Sequence, residues 1–335
     1  MVGLLKVKQL SQVVNVKTER KNVMTYSIQQ IREGLEKAGY VANDEITTAL
    51  WASVSRGRPL LLEGAAGTGK TSLAKALADG LNLPYQRLQM YEGLSDDKIL
   101  YDYDYQKQLL VIEMLKPRLM EECKEMNLKE AEQYALSKLD FYGDDFLLER
   151  PVLKAIRSKK QTVLCIDELD KADEATEYML YEFLENYSLS IPQYGTVTCR
   201  PDQRPIVIIT SNGYRELSGP LRRRCNYLYL KRKKAVEMAK ILALKANADR
   251  NLALGIALVV SKMTNLHYQP SLAEAIDYAK FLSQQEDISK DTALSALSIL
   301  LKDNRDYDRG RNLLLKHGGE IWNKGSDDED DSGND

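Results

Sequence analysis

Apolar residues are distributed along the chain in two patterns. Three short runs of consecutive apolar residues, at 60–62, 163–166 and 206–209, each lead into polar or charged residues. Such runs are typical of strands that are buried on both faces of a parallel sheet. Elsewhere, and throughout residues 235–322, apolar residues recur at the three- and four-residue spacing of amphipathic helices. The pattern predicts an α/β fold with a parallel sheet, followed by a small all-helical region.

The same pattern predicts the elements around these strands. Alternating residues predict strands over 85–90 and 226–230 and a hairpin over 188–200. Helical spacing predicts helices over 26–39, 44–55, 121–139, 146–157, 173–187, 235–247, 252–263, 271–283, 291–302 and 306–322. Residues 109–115 fit either a strand or a helix. The tyrosine-rich run at 101–105 is compatible with a partner-binding surface, but a hairpin with one packed face is the favoured interpretation.

The run at 60–62 leads into Gly-Ala-Ala-Gly-Thr-Gly-Lys-Thr at 64–71, which fits G-x-x-x-x-G-K-[ST]. A predicted helix follows, which is the context that a phosphate-binding loop requires. The glycines let several backbone N–H groups converge on one anion, and the positive end of the helix faces the same point. Lys70 adds a cation for the β- and γ-phosphates of ATP, and the Thr71 hydroxyl is placed to ligate Mg²⁺. The predicted nucleotide-binding residues are Gly64, Ala65, Ala66, Gly67, Thr68, Gly69, Lys70, Thr71 and Ser72.

Two carboxylates end the run at 163–166. Asp167 lies at the carboxyl end of that strand and can hold Mg²⁺ through water, so Thr71 and Asp167 are the predicted metal ligands. Glu168 can orient and polarise an attacking water, which makes it a predicted catalytic residue. Solvated acids at a strand end are the better interpretation of this pair in isolation. A phosphate-binding loop earlier in the same chain favours an ATP-hydrolysing site instead.

Asn212 and Arg224 are the other predicted catalytic residues. Asn212 follows the run at 206–209 and can contact the γ-phosphate or the attacking water, although an amide in a turn beside Gly213 fits the sequence equally well. Arg224 closes the triplet 222–224, which is either the basic end of a helix or an arginine finger. An arginine finger stabilises transition-state charge on ATP that is bound by a neighbouring subunit.

Composition narrows the class of protein. The chain has 335 residues and a formal net charge of -2, without an extended basic stripe, which argues against nucleic acid as a partner. The longest apolar run, 252–260, is too short to span a bilayer, and residues 1–20 lack the apolar core of a signal peptide. The 4 cysteines and 2 histidines are scattered, which argues against a structural zinc site and indicates reduced thiols in a cytoplasm.

In this order, the motifs resemble those of the AAA+ ATPases, and specifically the MoxR family in the branch found beside carbon monoxide dehydrogenase maturation genes. The segments that carry the resemblance are 64–71, 88–94, 146–151, 164–173, 209–212 and 221–225. Position by position, Lys70 and Thr71 match the first ATPase motif, and Asp167 and Glu168 match the second. Asn212 falls at sensor one and Arg224 at the arginine finger of the family.

The resemblance implies a P-loop core of helix, sheet and helix layers, a helical lid, and a hexameric ring that binds ATP and Mg²⁺ between subunits. The expected organisation is an N-terminal extension at 1–25, a nucleotide-binding domain at 26–230 with an insertion at 91–150, a lid domain at 231–324 and an acidic tail at 325–335. Members of the family use ATP to remodel, mature or activate a partner protein. The usual partner carries a von Willebrand factor A domain.

One departure from the family pattern concerns the lid. Many relatives carry a sensor-two arginine in a Ser-Pro-Arg motif, whereas residues 269–273 read Gln-Pro-Ser-Leu-Ala. Either another cation replaces that arginine or the lid is coupled more weakly to the nucleotide. Two other functions stay open at this stage: a nucleic-acid-stimulated motor, and a nucleotide-gated scaffold with little turnover.

Overall fold

The structure is a computed structural model that describes residues 26–138 and 140–322. The predicted extension at 1–25 and the predicted tail at 325–335 lie outside the described residues. The strands are β1 (Leu60–Glu63), β2 (Tyr85–Gln89), β3 (Tyr101–Tyr103), β4 (Leu147–Glu149), β5 (Val163–Asp167), β6 (Ser188–Ile191), β7 (Gly195–Thr198), β8 (Ile206–Ser211) and β9 (Asn226–Tyr229).

The α-helices as far as the end of the sheet are α1 (Ile28–Lys37), α2 (Asp44–Arg56), α3 (Lys70–Gly80), α4 (Asp96–Ile99), α5 (Tyr105–Glu122), α6 (Leu128–Lys138), α7 (Pro151–Ile156), α8 (Glu174–Asn186) and α9 (Gly219–Arg224). Those after it are α10 (Ala235–Ala246), α11 (Arg250–Lys262), α12 (Leu272–Ser283), α13 (Lys290–Ser295), α14 (Leu297–Leu300), α15 (Tyr307–His317) and α16 (Gly319–Trp322).

Five strands form one parallel sheet in the order β2–β5–β8–β1–β9. The three central strands are buried along almost their whole length, as their apolar runs predict. Because all five strands run in the same direction, their carboxyl ends meet at one edge of the sheet. That edge carries Glu63, Gln89, Asp167 and Ser211, each at the end of its strand.

Helices cover both faces of this sheet. Helices α1, α2 and α3 pack on one face, against side chains that include Leu60 and Leu62. Helices α7 and α8 pack on the other face, against side chains that include Leu61 and Leu164. The alternation of neighbouring leucines between two cores follows from the period of two along a strand. The predicted α/β fold with a parallel sheet is therefore confirmed.

The segment 91–150 holds α4, β3, α5, α6 and β4. Strand β3 pairs antiparallel with β4, a distant strand, so the tyrosine-rich run does not form a local hairpin. The prediction of one helix over 146–157 is wrong in its first half because residues 147–149 pair with β3, and α7 begins only at Pro151. The prediction of one helix over 121–139 is also wrong, since α5 continues through Pro117 to Glu122 and α6 begins at Leu128.

The chain after β9 is helical, as predicted, and packs around its own hydrophobic cluster, which runs from Met238 to Ile321. Two boundaries differ from the prediction. The segment 291–302 contains two short helices, α13 and α14, and Gly318 separates α15 from α16 within 306–322. Among the described residues, none of the helices combines the length and the apolar character that crossing a membrane demands.

Candidate nucleotide-binding site

The phosphate-binding loop connects β1 to α3 at the carboxyl edge of the sheet. Gly67 and Gly69 have φ values of 74° and 92°, in the left-handed region that favours glycine. A Cβ atom at Gly67 would lie 2.2 Å from the Cβ of Ser271, the N-cap of α12. Glycine at this position is therefore required both by the backbone and by the close approach of the helical region.

Lys70 is the first residue of α3 and is 5% exposed. Its Nζ donates hydrogen bonds to the carbonyl oxygens of Gly64 (2.8 Å) and Ala65 (2.9 Å). Burial lowers the pKa of Lys70, and nearby carboxylates, of which Asp170 acts most strongly, oppose this shift. The ammonium group thus lies inside the loop, where a phosphate group bound by the backbone N–H groups would meet it.

Asp167 ends β5 and is 1% exposed. Its Oδ1 accepts hydrogen bonds from the hydroxyls of Thr71 (2.8 Å) and Thr210 (2.6 Å). The two predicted metal ligands, Thr71 and Asp167, are therefore in direct contact. A hydroxyl and a carboxylate are hard oxygen ligands, which suits Mg²⁺ better than the softer transition metals. The residues present at this site fit that ion.

The guanidinium of Arg87 donates hydrogen bonds to the other carboxylate oxygen of Asp167, Oδ2. Its Nε and Nη2 donate hydrogen bonds to Oδ2 at 2.9 Å and 2.5 Å. Arg87 belongs to β2, the neighbour of β5 in the sheet, and its side chain is 49% exposed. Both oxygens of the buried Asp167 carboxylate thus have two donors, which offsets much of the cost of burying a charge.

Glu168 follows Asp167 with a φ of 57°, an uncommon backbone conformation for a residue other than glycine. Its Oε1 accepts from Nδ2 of Asn212 (3.0 Å), and its Oε2 accepts from Gln89 (2.8 Å) and Lys171 (2.6 Å). Burial raises the pKa of Glu168, but the hydrogen bonds from Lys171 and Asn212 outweigh it and hold that pKa below its usual value. The carboxylate is therefore ionised near neutral pH, as a general base must be.

Asp170 fixes the turn that carries Asn212. Its Oδ2 accepts from the backbone N–H groups of Asn212 (3.0 Å) and Tyr214 (2.9 Å), and the residue is 3% exposed. Its Oδ1 is buried and has no hydrogen-bond partner among the described residues. Asp170 therefore places the amide of Asn212 beside Glu168 and adds a negative charge near Lys70.

These side chains line one cleft of about 240 Å³. The helical region closes it with Leu272, Ala273 and Ile276 from α12. Next to it lies a second, more apolar cavity, of about 280 Å³, to which Tyr40, Val41, Ile241 and Ile276 contribute. The structure thus brings the loop residues, Asp167, Glu168 and Asn212 around one space, next to this more apolar cavity.

The arginines at 222–224 lie outside this cleft. Arg222 pairs with Glu63 (3.1 Å), and Arg224 pairs with Glu185 (2.8 Å) and stacks its guanidinium over the ring of Tyr181. Arg223 is exposed, and it makes no side-chain hydrogen bond or ion pair with the described residues. Arg224 therefore does not reach the cleft of its own chain, which is the arrangement that a residue serving a neighbouring subunit would have.

Five residues of the site were not predicted from the sequence: Arg87, Gln89, Thr210, Lys171 and Asp170. Arg87 and Gln89 alternate on β2 with apolar residues, and this pattern alone indicates only a half-exposed strand. Their proximity to Asp167 and Glu168 depends on the pairing of β2 with β5. Thr210 and Lys171 lie within three residues of predicted site residues, and that spacing is the only sequence signal they give.

Comparison with known proteins gives one family match. Residues 59–225 match the model of the AAA domain, dynein-related subfamily. No curated protein gives a significant match to the chain.

Solved structures similar to this chain include the Thermotoga maritima RuvB Holliday junction branch migration motor, at 19% identity and a TM-score of 0.44, covering 87% of this chain and 76% of that one. A mutant form of the same RuvB protein is 18% identical with a TM-score of 0.44, covering 85% of this chain and 76% of that one.

Proposed function

We propose that this chain is a Mg²⁺-dependent ATPase of the MoxR type, because residues 59–225 match the model of the dynein-related subfamily of AAA domains. In this proposal, ATP binding and hydrolysis drive the remodelling, maturation or activation of a partner protein. An AAA domain implies ATP hydrolysis in general. The observation that carries the assignment is the direct contact of Thr71 with Asp167, 2.8 Å between Oγ1 and Oδ1, which joins the phosphate-binding loop to the acidic strand end.

ATP binding is proposed to use the loop 64–72. The backbone N–H groups of the loop and the start of α3 hold the phosphates, and Lys70 supplies positive charge to the β- and γ-phosphates. The apolar cavity beside the loop, with Tyr40 and Ile241, accommodates the base. Ser271 touches Gly67 from the helical region, so the lid proposed for residues 231–324 contacts the nucleotide site without a sensor-two arginine.

Hydrolysis is proposed to depend on Glu168. When Mg²⁺ is bound by Thr71 and Asp167, it neutralises charge on the phosphate oxygens. Glu168 orients the attacking water and accepts its proton, and Asn212, 3.0 Å from Glu168, fixes the direction of that carboxylate. Lys70 stabilises the charge that develops on the transferred phosphoryl group.

The arginine finger and the hexameric ring are proposed on the basis of the family resemblance. The position of Arg224 outside its own cleft supports a role towards a neighbouring subunit in a hexameric ring. The exposed Arg223 is the alternative finger, since the described residues give it no partner. Variants at both positions decide between them.

The partner is proposed to be a protein, and a von Willebrand factor A domain protein in particular, in a cytoplasmic setting. Helix α5 has no buried residue along its 18 positions, and Leu109, Leu110, Met114 and Met120 are each more than 60% exposed. Exposed apolar groups of this extent suit a protein surface better than a nucleic-acid backbone. This observation favours protein remodelling over a nucleic-acid-stimulated motor.

The test is Glu168→Gln in the full chain. The variant is expected to bind ATP with unchanged affinity and to hydrolyse it more slowly by about 10²–10³-fold, because the amide cannot accept the proton of water. Binding is measured with a fluorescent ATP analogue and turnover by phosphate release. Wild-type turnover in the variant would contradict the role of Glu168. Wild-type protein that binds ATP without turnover would instead support the nucleotide-gated scaffold.

A further inference from the structure

Arg87 places two hydrogen-bond donors on one oxygen of the buried Asp167. Nε and Nη2 both point at Oδ2, at 2.9 Å and 2.5 Å, while the hydroxyls of Thr71 and Thr210 occupy Oδ1. The carboxylate therefore has a hydroxyl side, which faces the phosphate-binding loop, and a guanidinium side, which faces β2. A metal ion bound by Thr71 and Asp167 would share this single carboxylate with the guanidinium.

The formal charges around Asp167 balance. Three carboxylates, Asp167, Glu168 and Asp170, lie close to three cations, Lys70, Arg87 and Lys171. Without nucleotide, a divalent cation is attracted only weakly to this set of groups because their charges cancel. A bound triphosphate adds several negative charges, which attract the cation. Arg87 is the cation that contacts the metal-ligating carboxylate most directly.

We propose that Arg87 is a positioning residue that weakens metal binding to the protein alone, so that the metal ion binds together with the nucleotide. The inference rests on the proposed function, because Asp167 is taken as a metal ligand. Removing the guanidinium leaves the set with a net negative charge of one. Since the Arg87 side chain is 49% exposed, water can enter the space it leaves beside Oδ2 of Asp167.

The experiment titrates the full chain, without nucleotide, with Mn²⁺ as a stand-in for Mg²⁺, and follows free Mn²⁺ by electron paramagnetic resonance. Arg87→Met is expected to bind Mn²⁺ at the site formed by Thr71 and Asp167 about tenfold more tightly than wild type does. Arg87→Gln keeps a hydrogen-bonding group without the charge and is expected to behave as Arg87→Met. Arg87→Lys keeps the charge and is expected to resemble wild type.

Two controls distinguish a specific effect of Arg87 on metal binding from a general effect of losing an arginine–aspartate pair on the stability of the fold. Arg150→Met removes another arginine–aspartate pair, Arg150 to Asp102 at 2.9 Å, and is expected to leave the Mn²⁺ isotherm unchanged. Adding Asp167→Asn to Arg87→Met is expected to abolish the gain. Carboxylates at 327–331 contribute the same background to every variant.

An isotherm of folded Arg87→Met and Arg87→Gln that matches wild type overturns the inference, and so does a gain that survives Asp167→Asn. If Arg87→Met does not fold, as judged by circular dichroism, Arg87→Gln and Arg87→Lys still give opposite expectations. Failure of the proposed function shows separately, as absence of ATP hydrolysis by the wild-type protein.

Discussion

The carboxyl edge of the parallel sheet and helix α5 of the insertion use their side chains in opposite ways. At the sheet edge, the charged Asp167 is 1% exposed and has four donors from Thr71, Thr210 and Arg87. On α5, the apolar Leu110 and Met114 are 61% and 71% exposed. One region keeps the charged Asp167 inside and pairs both of its oxygens, and the other leaves apolar groups in water.

The two regions therefore differ in whether their side chains find partners within the chain. Burying a charge is costly unless it is paired, so the network around Asp167 is a specific arrangement that the fold maintains. Exposed apolar side chains in a continuous group are typical of a surface that another protein covers. The buried charge at the sheet edge is paired within the chain, whereas the apolar side chains of α5 face solvent.

The largest expected effect is on kcat, and it tests whether the site at the sheet edge needs a residue from a neighbouring subunit. Arg224→Ala is expected to lower kcat by about 10³-fold, because it removes the guanidinium that we propose stabilises the transition state on a neighbouring subunit. The affinity for ATP is expected to stay within about twofold, since Arg224 lies outside its own cleft. Phosphate release and nucleotide titration measure the two quantities.

Matched variants identify the finger within the triplet. Arg222→Ala removes the pair with Glu63 and is expected to lower stability more than turnover. If Arg223→Ala shows the loss of turnover and Arg224→Ala does not, the finger is Arg223. Full turnover in all three variants would mean that no neighbouring arginine acts in hydrolysis.

The second effect compares the two regions in free energy of unfolding. Leu61→Ala, in the centre of the sheet and 0% exposed, is expected to cost about 3 kcal/mol through lost burial and a residual cavity. Leu110→Ala on α5 makes the same chemical change at 61% exposure and is expected to cost under about 0.5 kcal/mol. Urea denaturation measures both, and similar costs would contradict the description of α5 as an unpacked surface.

A third, smaller effect concerns the exposed surface itself. Leu110→Ser combined with Met114→Ser is expected to leave the urea midpoint unchanged within error and to reduce fluorescence of a hydrophobic dye bound to the protein. Lys75→Ser, on the exposed side of α3, is the matched surface control. Equal dye binding by the wild type, the double variant and the control would show that α5 is already covered.

The smallest effect compares two helix caps. Asp173 caps α8 through the N–H of Thr176, and Asp104 caps α5 through the N–H of Lys107. Because α8 has five buried residues and α5 has none, Asp173→Ala is expected to lower the global urea midpoint, whereas Asp104→Ala is expected to increase only local amide exchange in α5. A shift of the global midpoint by Asp104→Ala would contradict this comparison.

The cap of α8 is also expected to make the stability of the fold depend on pH. Hydrogen bonds from Thr176 hold the pKa of Asp173 below its ordinary value of 3.8. A depressed folded-state pKa contributes stability that is complete above the ordinary value and is lost as the pH falls through the folded-state value. The stability advantage of wild type over Asp173→Ala is therefore expected to shrink below about pH 4. Asp173→Asn keeps a capping oxygen and is expected to lack this pH dependence.

The sheet and most of the site could be predicted because their signals are local. The apolar runs at 60–62, 163–166 and 206–209 and the motif at 64–71 each lie within a few residues. Arg87 and Gln89 could not be predicted, because their role depends on β2 pairing with β5, and adjacency in a sheet is not visible in one strand.

The predictions of helix boundaries in the insertion were wrong for a related reason. Residues 147–149 have helical spacing but pair with the distant β3, so a tertiary contact outweighed local preference. The predicted start of a helix at residue 121 is wrong because α5 runs through Pro117 and ends at Glu122. The ends of an exposed helix contact few other residues, so the sequence gives little indication of where the helix begins and ends.

The contact between Gly67 and Ser271 leaves no room for even one additional carbon atom between the phosphate-binding loop and the first turn of α12. Any group that widens the loop has to push this helix, and α12 is 12 residues long, about 18 Å from end to end. The lack of a side chain at residue 67 therefore couples the position of α12 sterically to the conformation of the phosphate-binding loop.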